Sequence, residues 1–592
     1  MTWPAKWHSW NVIPNSVHRK MAVHNADIAS LFNRLADLLE IEGANAFRIR
    51  AYRRAAQTIE DLPVGAAEMI AKGEDLAELP GIGEDLAGKI GEIVATGRLN
   101  LLEEVEAHTP STLAALTTLP GLGPKRVQAL HERLGITSLD QLAHAAKSHK
   151  VRSLPGFSEK MEAHIIEEIG KHHATEQRWK ISTAADFAET LRAFMERCHG
   201  IGHVVVAGSY RRCKDTVGDL DILVTCAKGK TAVDHFTSYE ETAEVTARGP
   251  TRAAIVLKAG IKVDLRVVPE ESYGAALHYF TGSKAHNIHI RKLGQDRGLK
   301  INEYGVFKGD TRISGSKEED VFAAVGLPWI EPELREDRGE IEAAKAGQLP
   351  RLVTLDDIRG DLHMHTKDSD GKNSLREMAA AAKARGYIYI AITDHTKHTT
   401  VAHGLDEKRL SNQLDEIDRL NDEIGGIRIL KSSEVDILAD GSLDLSGSIL
   451  KRLDLAVCAV HYKFELDAKA QTDRILRAMD NRYCTILAHP SGRLLGERQG
   501  YAVDLQRVLE GAKARGCFIE LNAHPARLDL DDVHCKLAKE LGLLVSIGTD
   551  AHSTAGLDVM RYGIGQARRG WLEAKDVLNT RSWAQLKPLL AR

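Results

Sequence analysis

The sequence predicts a multidomain protein with an all-α N-terminal region, a central mixed α/β domain and a C-terminal distorted β/α barrel. Three changes of pattern along the chain support this fold class. Up to about residue 180, apolar residues recur at helical spacing between glycine stops. From residue 203 the period becomes two, and after Ile358 short apolar strands alternate with helical stretches, which is typical of parallel βα units.

Composition limits the class of protein. At 592 residues the chain exceeds one hydrophobic core, and 43% hydrophobic with 27% charged residues is ordinary for a globular protein. No run of about 18 apolar residues could cross a membrane. Seven cysteines without a CxxC pair predict neither a disulfide framework nor a cysteine zinc site, which is typical of the reducing cytoplasm. Because the net charge is −4, contacts with nucleic acid must depend on local basic patches.

A motif recurs within the helical region. LAELPGIGEDLAGKIGEIV at 76–94 resembles LTTLPGLGPKRVQALHERL at 116–134, and SLPGFSEKMEAHIIEEI at 153–169 is a weaker third copy. Each copy predicts a helix, a tight glycine turn and a second helix. Unpaired backbone N–H groups at such a turn bind phosphate without regard to base sequence. An ordinary helix connection explains one copy, but a connection has no need to repeat.

Basic residues cluster in AFRIRAYRRAAQTI, where Arg48, Arg50, Arg53 and Arg54 surround Tyr52 with no acid among them. A solvated helix face is one interpretation of this run. A pocket for a phosphate group is the other.

Three aspartates in the central domain predict a metal site. In GSYRRCKDTVGDLDILV, Asp219 and Asp221 lie two apart on a predicted strand and therefore project to the same side, and Asp264 lies on a second strand, IKVDLRVV. Clustered carboxylates are costly unless divalent cations neutralise them. Two Mg²⁺ ions held in this way can activate a 3′-hydroxyl. Gly208 and Ser209 open a helix suited to triphosphate oxygens, and Arg212 supplies a matching charge.

Histidines and carboxylates of the C-terminal region follow or end apolar strands. They lie in DLHMHTKDSDG (361–371), ITDHT (392–396), SSEVDI (432–437), AVHYK (459–463), LAHPSG (487–492) and GTDAHS (548–553). Strand ends meet at the C-terminal rim of a parallel barrel, so these side chains are expected to gather there. Such ligands suit Zn²⁺ or Mn²⁺, and six clusters in order favour a metal centre over solvent-facing histidines.

The order GS, RR, DxD and a third strand aspartate resembles the X family of DNA polymerases, as do YFTGSKAHNIHIR (279–291) and INEYGVF (301–307). The resemblance implies a nucleotidyltransferase palm with a thumb, Mg²⁺ or Mn²⁺ on Asp219, Asp221 and Asp264, and dNTPs as substrates. It also implies nucleotide contacts by Gly208, Ser209, Arg212, Tyr279, Phe280, Gly282 and Asn287. Lys262 and Lys284 depart from the family pattern. These departures bear on the strength of base discrimination and not on the reaction itself.

The same resemblance extends to the helical region as paired helix-hairpin-helix motifs that grip gapped or nicked double-stranded DNA and hold Na⁺ or K⁺ on backbone carbonyls. It implies DNA contacts by Arg48, Tyr52, Gly81, Gly83, Gly121, Gly123 and Arg291. Arg48 and Tyr52 would bind a downstream 5′-phosphate. Lys89 matches the position of the family's lyase lysine, but Asp85 stands where lyase-proficient members have a basic residue, so an exposed helix lysine with little lyase activity is expected.

The C-terminal segments resemble the PHP family of phosphoesterases. Nine positions match its metal ligands: His363, His365, Asp370, His395, Glu434, His461, His489, Asp550 and His552. The resemblance implies three divalent ions. The first is held by His363, His365, Glu434 and Asp550, the second by Glu434, His461 and His489, and the third by Asp370, His395 and His552. A 3′–5′ exonuclease is implied, with abasic-site cleavage as a further activity.

Together these patterns predict a monomeric, cytoplasmic enzyme that fills short gaps in base-excision or end-joining repair. A template-independent nucleotidyltransferase and a non-enzymatic DNA-end scaffold are the alternatives; the paired hairpins oppose the first and the complete ligand sets oppose the second. The expected division of the chain is a disordered extension (1–20), a lyase-like hairpin domain (21–104), a DNA-binding hairpin subdomain (105–180), a palm (181–270), a thumb (271–330), a linker (331–356) and a PHP domain (357–592).

Overall fold

The computed structural model describes residues 25–60, 66–79, 81–106, 109, 113, 116, 119, 122–176 and 178–590. The predicted extension 1–20 and Gly121 lie outside the described residues. Two compact units divide the chain, Met1–Glu176 and Gln177–Arg592.

The described part of the first unit is helical, as the sequence predicted. One apolar core contains residues from Ile28 to Ile169 and so joins the two predicted hairpin subdomains. Left-handed glycines end two of the helices, at Gly97 and Gly135. The α-helices span Asn25–Ile41, Ala46–Glu60, Ala66–Ala71, Glu84–Thr96, Asn100–Glu106, Pro124–Leu134, Leu139–Lys147 and Glu159–Glu176, with 3₁₀ turns at Leu76–Glu78 and Val151–Ser153.

The palm is a five-stranded mixed sheet in the order β2-β4-β7-β6-β5. Its strands are β2 (Ile201–Val206), β4 (Asp219–Cys226), β5 (Thr242–Arg248), β6 (Arg252–Leu257) and β7 (Lys262–Val268), and a two-stranded ribbon joins β1 (Trp179–Lys180) to β3 (Thr216–Val217). Alternate residues of β4 and β7 enter the core, for example Leu220 and Val263. The palm helices are Ile181–Glu196, Gly208–Arg211 and Gly229–Thr237, and a 3₁₀ turn follows at Glu270–Ser272.

The thumb combines helices with a three-stranded antiparallel sheet. Its helices are Tyr273–Thr281, Lys284–Gln295 and Glu318–Ala324, and its strands are β8 (Lys300–Asn302), β9 (Gly305–Lys308) and β10 (Thr311–Ser314). The thumb core also contains Leu334, Ile341 and Leu352, which belong to the segment predicted as a linker. That segment forms a 3₁₀ turn at Pro332–Leu334 and a helix at Glu340–Lys345. Residues 331–356 are therefore folded and packed rather than a loose connection.

The C-terminal domain contains eight parallel strands in two sheets, ordered β11-β12-β13 and β14-β15-β16-β17-β18. Parallel bridges from His395 to Glu434 and from Met364 to Ala551 connect the two sheets and close the ring. The strands are β11 (Gly360–Asp361), β12 (Tyr389–Ile392), β13 (Arg428–Lys431), β14 (Glu434–Asp436), β15 (Val457–Ala459), β16 (Ile486–Leu487), β17 (Phe518–Asn522) and β18 (Val545–Gly548). This closed ring is the distorted β/α barrel that the sequence predicted.

Helices pack against the barrel, and the last of them contributes Leu586 and Leu590 to a second apolar core together with Tyr389 and Val457 of the strands. They span Leu375–Ala384, Glu407–Glu423, Gly447–Leu450, Ala468–Asp480, Leu505–Arg515, Asp532–Glu540, Met560–Arg569 and Trp583–Leu590, with 3₁₀ turns at Leu355–Asp357, Thr400–Ala402, Ala555–Val559, Ala574–Asp576 and Leu578–Thr580. Among the described residues, no helix combines the length and the apolar character needed to cross a bilayer.

Candidate active sites

The three palm aspartates lie on neighbouring parallel strands. Asp221 of β4 is in register with Asp264 of β7, and Asp219 precedes Asp221 by two residues on the same side. Burial, together with the charges of Asp219 and Asp264, raises the pKa of Asp221 to about 7. Burial and Asp219 also raise the pKa of Asp264. Three mutually repelling carboxylates of this kind fit a site for divalent cations.

Gly208 lies against this carboxylate cluster. Its φ of +61° is in the left-handed region, and a Cβ atom there would lie 2.2 Å from Oδ2 of Asp221. The residue begins the short helix Gly208–Arg211, directly after β2. Only glycine can satisfy both the backbone angle and the close approach. Ser209 follows it as the second residue of that helix.

The guanidinium of Arg212 is fixed by hydrogen bonds that the sequence did not predict. Its Nε donates to Oε1 of Glu336 at 3.0 Å, and its Nη1 donates to the carbonyl oxygen of Thr281 at 2.6 Å. Gly282 lies beside it, since a Cβ atom on that residue would be 3.1 Å from Nη1 of Arg212. The charge predicted to bind triphosphate is therefore present, but another part of the chain holds it in place.

Residues of the predicted nucleotide-binding segment 279–291 contact one another. Nδ2 of the buried Asn287 donates to the carbonyl oxygen of Tyr279 at 2.7 Å. The rings of Tyr279 and Phe280 lie edge to face, 5.1 Å apart. Nε of Arg291 donates to the carbonyl oxygen of Asn287 at 3.3 Å. One N–H of the Asn287 amide therefore supports the backbone of Tyr279, while its Oδ1 is buried without a partner.

In the N-terminal unit, part of the positive charge of the arginine-rich helix is neutralised by acids of the neighbouring helix. Arg48 is exposed, whereas Tyr52 is buried, with its ring centroid 5.7 Å from that of Phe32. Nη2 of Arg53 lies 3.0 Å from Asp37 and 2.5 Å from Glu40. The preceding helix, Asn25–Ile41, thus supplies carboxylates that the arginine-rich stretch 46–59 itself lacks.

The hairpin turns place glycines at helix starts. Gly83 and Gly123 are the N-caps of Glu84–Thr96 and Pro124–Leu134. Gly81 has φ of +81°, and a Cβ atom there would meet the side chain of Arg54. The hairpin therefore packs against the arginine-rich helix.

Lys89, expected on an exposed helix face, is largely covered, since only 18% of its side chain is exposed. Its Nζ bonds to Oδ1 of Asp85, one helical turn earlier. Sequence reasoning identified this neighbour but was wrong about the exposure.

In the C-terminal domain the nine predicted ligands converge at the strand ends. Three clusters have ligand atoms within 4.8 Å of one another: His365, Asp370, His395 and His552; His363, His365 and Asp550; and His395, Glu434 and His461. The ninth residue, His489, joins through Nε2, which lies 2.9 Å from Oε1 of Glu434. All nine predicted ligands are therefore brought together, but the grouping differs from the implied one: His395 rather than His489 lies with Glu434 and His461, and His365 belongs to two clusters.

The chemistry of this cluster fits bound cations. Buried ring nitrogens of His363 (Nε2), His365 (Nδ1) and His489 (Nδ1) have no hydrogen-bond partner, and Nδ1 of His395 lies 3.0 Å from Oε2 of Glu434. Burial raises the pKa of Glu434, but His395 and His461 outweigh it and hold that pKa well below its ordinary value. An ionised carboxylate among unpartnered imidazole nitrogens is the donor set that divalent transition metals prefer.

Carboxylates around the cluster orient its histidines, and the sequence analysis missed them. Oε1 of Glu520 lies 2.6 Å from Nδ1 of His363, and its Oε2 accepts from the backbone N–H of His489 at 2.8 Å. Oδ1 of Asp436 lies 2.9 Å from Nδ1 of His461. Each carboxylate can only accept, so each fixes the tautomer that leaves Nε2 for a metal. The available signal was an acid inside an apolar strand, in CFIELN and SSEVDI.

Known family models match five parts of the chain. Family models match for a helix-hairpin-helix domain (23–99), a SAM-like helix-hairpin-helix tandem (113–171), a DNA polymerase beta palm (182–259), a DNA polymerase beta thumb (276–336) and a PHP domain (361–524).

Individual relatives cover the chain to different extents. The DNA polymerase/3'-5' exonuclease PolX of Bacillus subtilis (strain 168) is 37% identical over 574 residues, 96% of this chain and 100% of that protein. DNA polymerase lambda of Arabidopsis thaliana is 26% identical over 52% of this chain and 62% of its own length. A probable phosphatase of Thermoanaerobacter sp. (strain X514) is 32% identical over 34% of this chain and 81% of its own length.

Proposed function

Because this chain belongs to the X family of DNA polymerases, in the form that carries a C-terminal PHP domain, we propose that it is a DNA-templated polymerase with a separate 3′–5′ exonuclease site. The single observation that carries the proposal is that two sets of candidate metal ligands lie on separate sheets. Asp219, Asp221 and Asp264 lie on the palm, and the histidine cluster lies on the barrel. A scaffold protein would have no need of either.

At the palm, Asp219, Asp221 and Asp264 would hold Mg²⁺ or Mn²⁺, which supplies the Lewis acidity for nucleotide transfer. The chain's own residues bind and orient the dNTP. The backbone N–H groups at the helix start of Gly208 and Ser209 donate to triphosphate oxygens, and Arg212 balances the charge of these oxygens. Tyr279, Phe280 and Gly282 border the position of the sugar. Asn287 supports that border through the carbonyl oxygen of Tyr279.

At the barrel, the nine ligands would hold up to three Zn²⁺ or Mn²⁺ ions, which supply the nucleophilic water and polarise the phosphodiester. Glu520 and Asp436 orient the histidine rings. Removal of nucleotides from 3′ ends is the activity proposed for this site. Abasic-site cleavage belongs to the same chemical class.

The DNA substrate proposed is a gapped or nicked duplex. The helix starts at Gly83 and Gly123 would bind backbone phosphates, with Na⁺ or K⁺ at the hairpins, and the exposed Arg48 would bind a 5′-phosphate. Lys89 is paired with Asp85, so we propose little or no lyase activity. The domain bounds predicted from the sequence, except that residues 331–356 pack on the thumb instead of forming a linker, complete the proposal together with a monomeric state and a role in base-excision or end-joining repair.

Primer extension on a labelled gapped duplex tests the function. With Mg²⁺ or Mn²⁺ and dNTPs, only the nucleotide that matches the template should be added. Without dNTPs, the primer should shorten from its 3′ end. Addition that ignores the template would establish a template-independent transferase instead. DNA binding with neither extension nor shortening would establish a scaffold.

A further inference from the structure

Arg212 of the palm is held by residues that lie outside the palm. Oε1 of Glu336 accepts from Nε of Arg212 at 3.0 Å and from Nη1 of Arg569 at 2.9 Å. Nη1 of Arg569 also donates to the backbone carbonyl oxygen of Arg212 at 2.9 Å. Arg569 ends the barrel helix Met560–Arg569. One arginine of the PHP domain thus fixes the backbone of Arg212 directly and its guanidinium through Glu336.

These contacts are shielded from water. The side chains of Arg212, Glu336 and Arg569 are 12%, 13% and 4% exposed. Burial raises the pKa of Glu336, but Arg212 and Arg569 outweigh it and keep the carboxyl ionised. Asp532 in turn accepts from Nη2 of Arg569 at 2.6 Å. Charge-assisted hydrogen bonds in a dry environment fix side-chain geometry strongly.

We propose that Glu336 and Arg569 are positioning residues of the polymerase reaction, which hold Arg212 in the orientation that binds the triphosphate of the incoming dNTP. This inference rests on the proposed function. Glu336 and Thr281 use Nε and Nη1 of Arg212, which leaves Nη2 for the ligand. A long side chain that is already ordered loses less conformational entropy when the ligand binds. The PHP domain therefore supports nucleotide binding in the palm as well as its own hydrolytic site.

A matched control lies next to Arg569. Nε of Arg568 donates to Oε1 of Glu333 at 2.7 Å, and its Nη2 lies 2.9 Å from Glu331. Arg568 is on the same helix, is 16% exposed and binds the same connecting segment, but its acceptors are not those of Arg212. Loss of this bridge weakens the same interface without touching the nucleotide arginine.

The experiment is steady-state extension of gapped DNA at varied dNTP concentration. Glu336→Ala and Arg569→Ala should each raise KM for dNTP about tenfold with a smaller change in kcat, the effect of losing one charged hydrogen bond. Arg568→Ala should leave KM within about twofold, because its acceptors Glu333 and Glu331 do not bind Arg212. Exonuclease activity without dNTPs should persist in all three variants and reports their folding. If an alanine variant loses it, Glu336→Gln and Arg569→Lys, which retain side-chain size, decide the question.

A double-mutant cycle separates positioning from general stabilisation. If Glu336 acts through Arg212, then adding Glu336→Gln to Arg212→Ala should not raise KM further. Additive effects, or an equal rise in KM for Arg568→Ala, would overturn the inference. An unchanged KM in Glu336→Gln and Arg569→Ala beside a raised KM in Arg212→Ala would also overturn it and leave the proposed polymerase intact. Failure of the wild-type protein to extend any primer would instead remove the proposed function itself.

Discussion

Gly208 leaves no space between the palm backbone and Asp221: a Cβ atom on residue 208 would come within 2.2 Å of Oδ2 of that aspartate. Replacement of Gly208 by alanine should therefore displace the carboxylate. A displacement of about 1 Å at a reacting centre can lower a rate by about 100-fold. Gly208→Ala should reduce primer extension by about that factor and leave dNTP-free trimming unchanged, as measured on one gapped duplex.

The control for that variant is Gly200→Ala. Gly200 also has a positive φ, +87°, but a Cβ atom there would meet nothing within 4 Å. Left-handed strain of about 1–2 kcal/mol is common to both variants. Equal losses of extension in the two would show that backbone strain, and not contact with Asp221, explains the requirement for glycine.

Glu520 should control the exonuclease and not the polymerase. Its two oxygens hold the ring of His363 and the backbone of His489, so Glu520→Gln loosens both ligands. Loss of such a supporting carboxylate lowers metal affinity or activity by about 10–100-fold. Trimming should fall by that order and recover partly at higher Mn²⁺, whereas extension should not change. Glu510→Gln, at an exposed helix position, is the control. Trimming by Glu520→Gln at the wild-type rate and Mn²⁺ dependence would contradict the assignment.

Glu318 should be a stability residue of the thumb. It accepts bidentate bonds from Arg211 at 2.7 and 2.9 Å and a further bond from the buried Arg335 at 2.6 Å. Glu318→Gln leaves two arginines without their counter-charge. Removal of one partner from a buried ion pair costs about 3–5 kcal/mol in free energy of unfolding. Urea denaturation should show that loss, whereas Glu319→Gln, at the exposed neighbour, should show little.

The same carboxylate gives a pH dependence with a defined sign. Burial raises the pKa of Glu318, but Arg211 and Arg335 outweigh it and hold that pKa below its ordinary 4.5. A carboxyl with a lowered folded-state pKa contributes stability above the unfolded pKa and loses it as pH falls below that value. The stability difference between wild type and Glu318→Gln should therefore shrink below about pH 4.5. A difference that grows with acid would contradict this role.

Arg48 should provide preference for a 5′-phosphate at the downstream side of a gap. Arg48 and Arg53 are both exposed on this helix, but Arg53 is already paired with Asp37 and Glu40. Arg48→Ala should lower extension on phosphorylated gaps towards the level on unphosphorylated gaps, since a charged anchor is lost. Arg53→Ala should retain the preference. Equal extension by the wild type on both gaps would remove the pocket hypothesis.

Strand and helix periodicity made most of the two sites predictable. The spacing of Asp219 and Asp221 on a period-two strand predicted their common side, and the ends of apolar strands predicted the histidine rim. Helix periodicity also predicts that Tyr52 is buried. Tyr52, Ala55, Ala56 and Ile59 follow the i, i+3, i+4, i+7 rule and are all buried, which explains why Tyr52 lies in the core rather than in a phosphate pocket.

Long-range pairing could not be predicted from one sequence. The segment EPELREDRGEIEAAKAG reads as charged and solvated. Its acids find partners far away in the chain: Glu333 binds Arg568, Glu336 binds Arg212, and Glu340 binds His286. No local pattern reveals which charges will be buried together. For the same reason the covered environment of Lys89 could not be predicted from its helix alone.

Separation of the two chemistries by mutation tests the central claim most directly. Asp221→Ala and His461→Ala should be compared on one labelled gapped duplex, with and without dNTPs and with Mn²⁺ present. Asp221→Ala should abolish extension and retain 3′ trimming, and His461→Ala should suppress trimming and retain extension, because their ligands lie on different sheets. If Asp221→Ala abolished trimming without dNTPs while the protein stayed folded and bound DNA normally, the nuclease would depend on the palm carboxylates and the two-site account would be wrong.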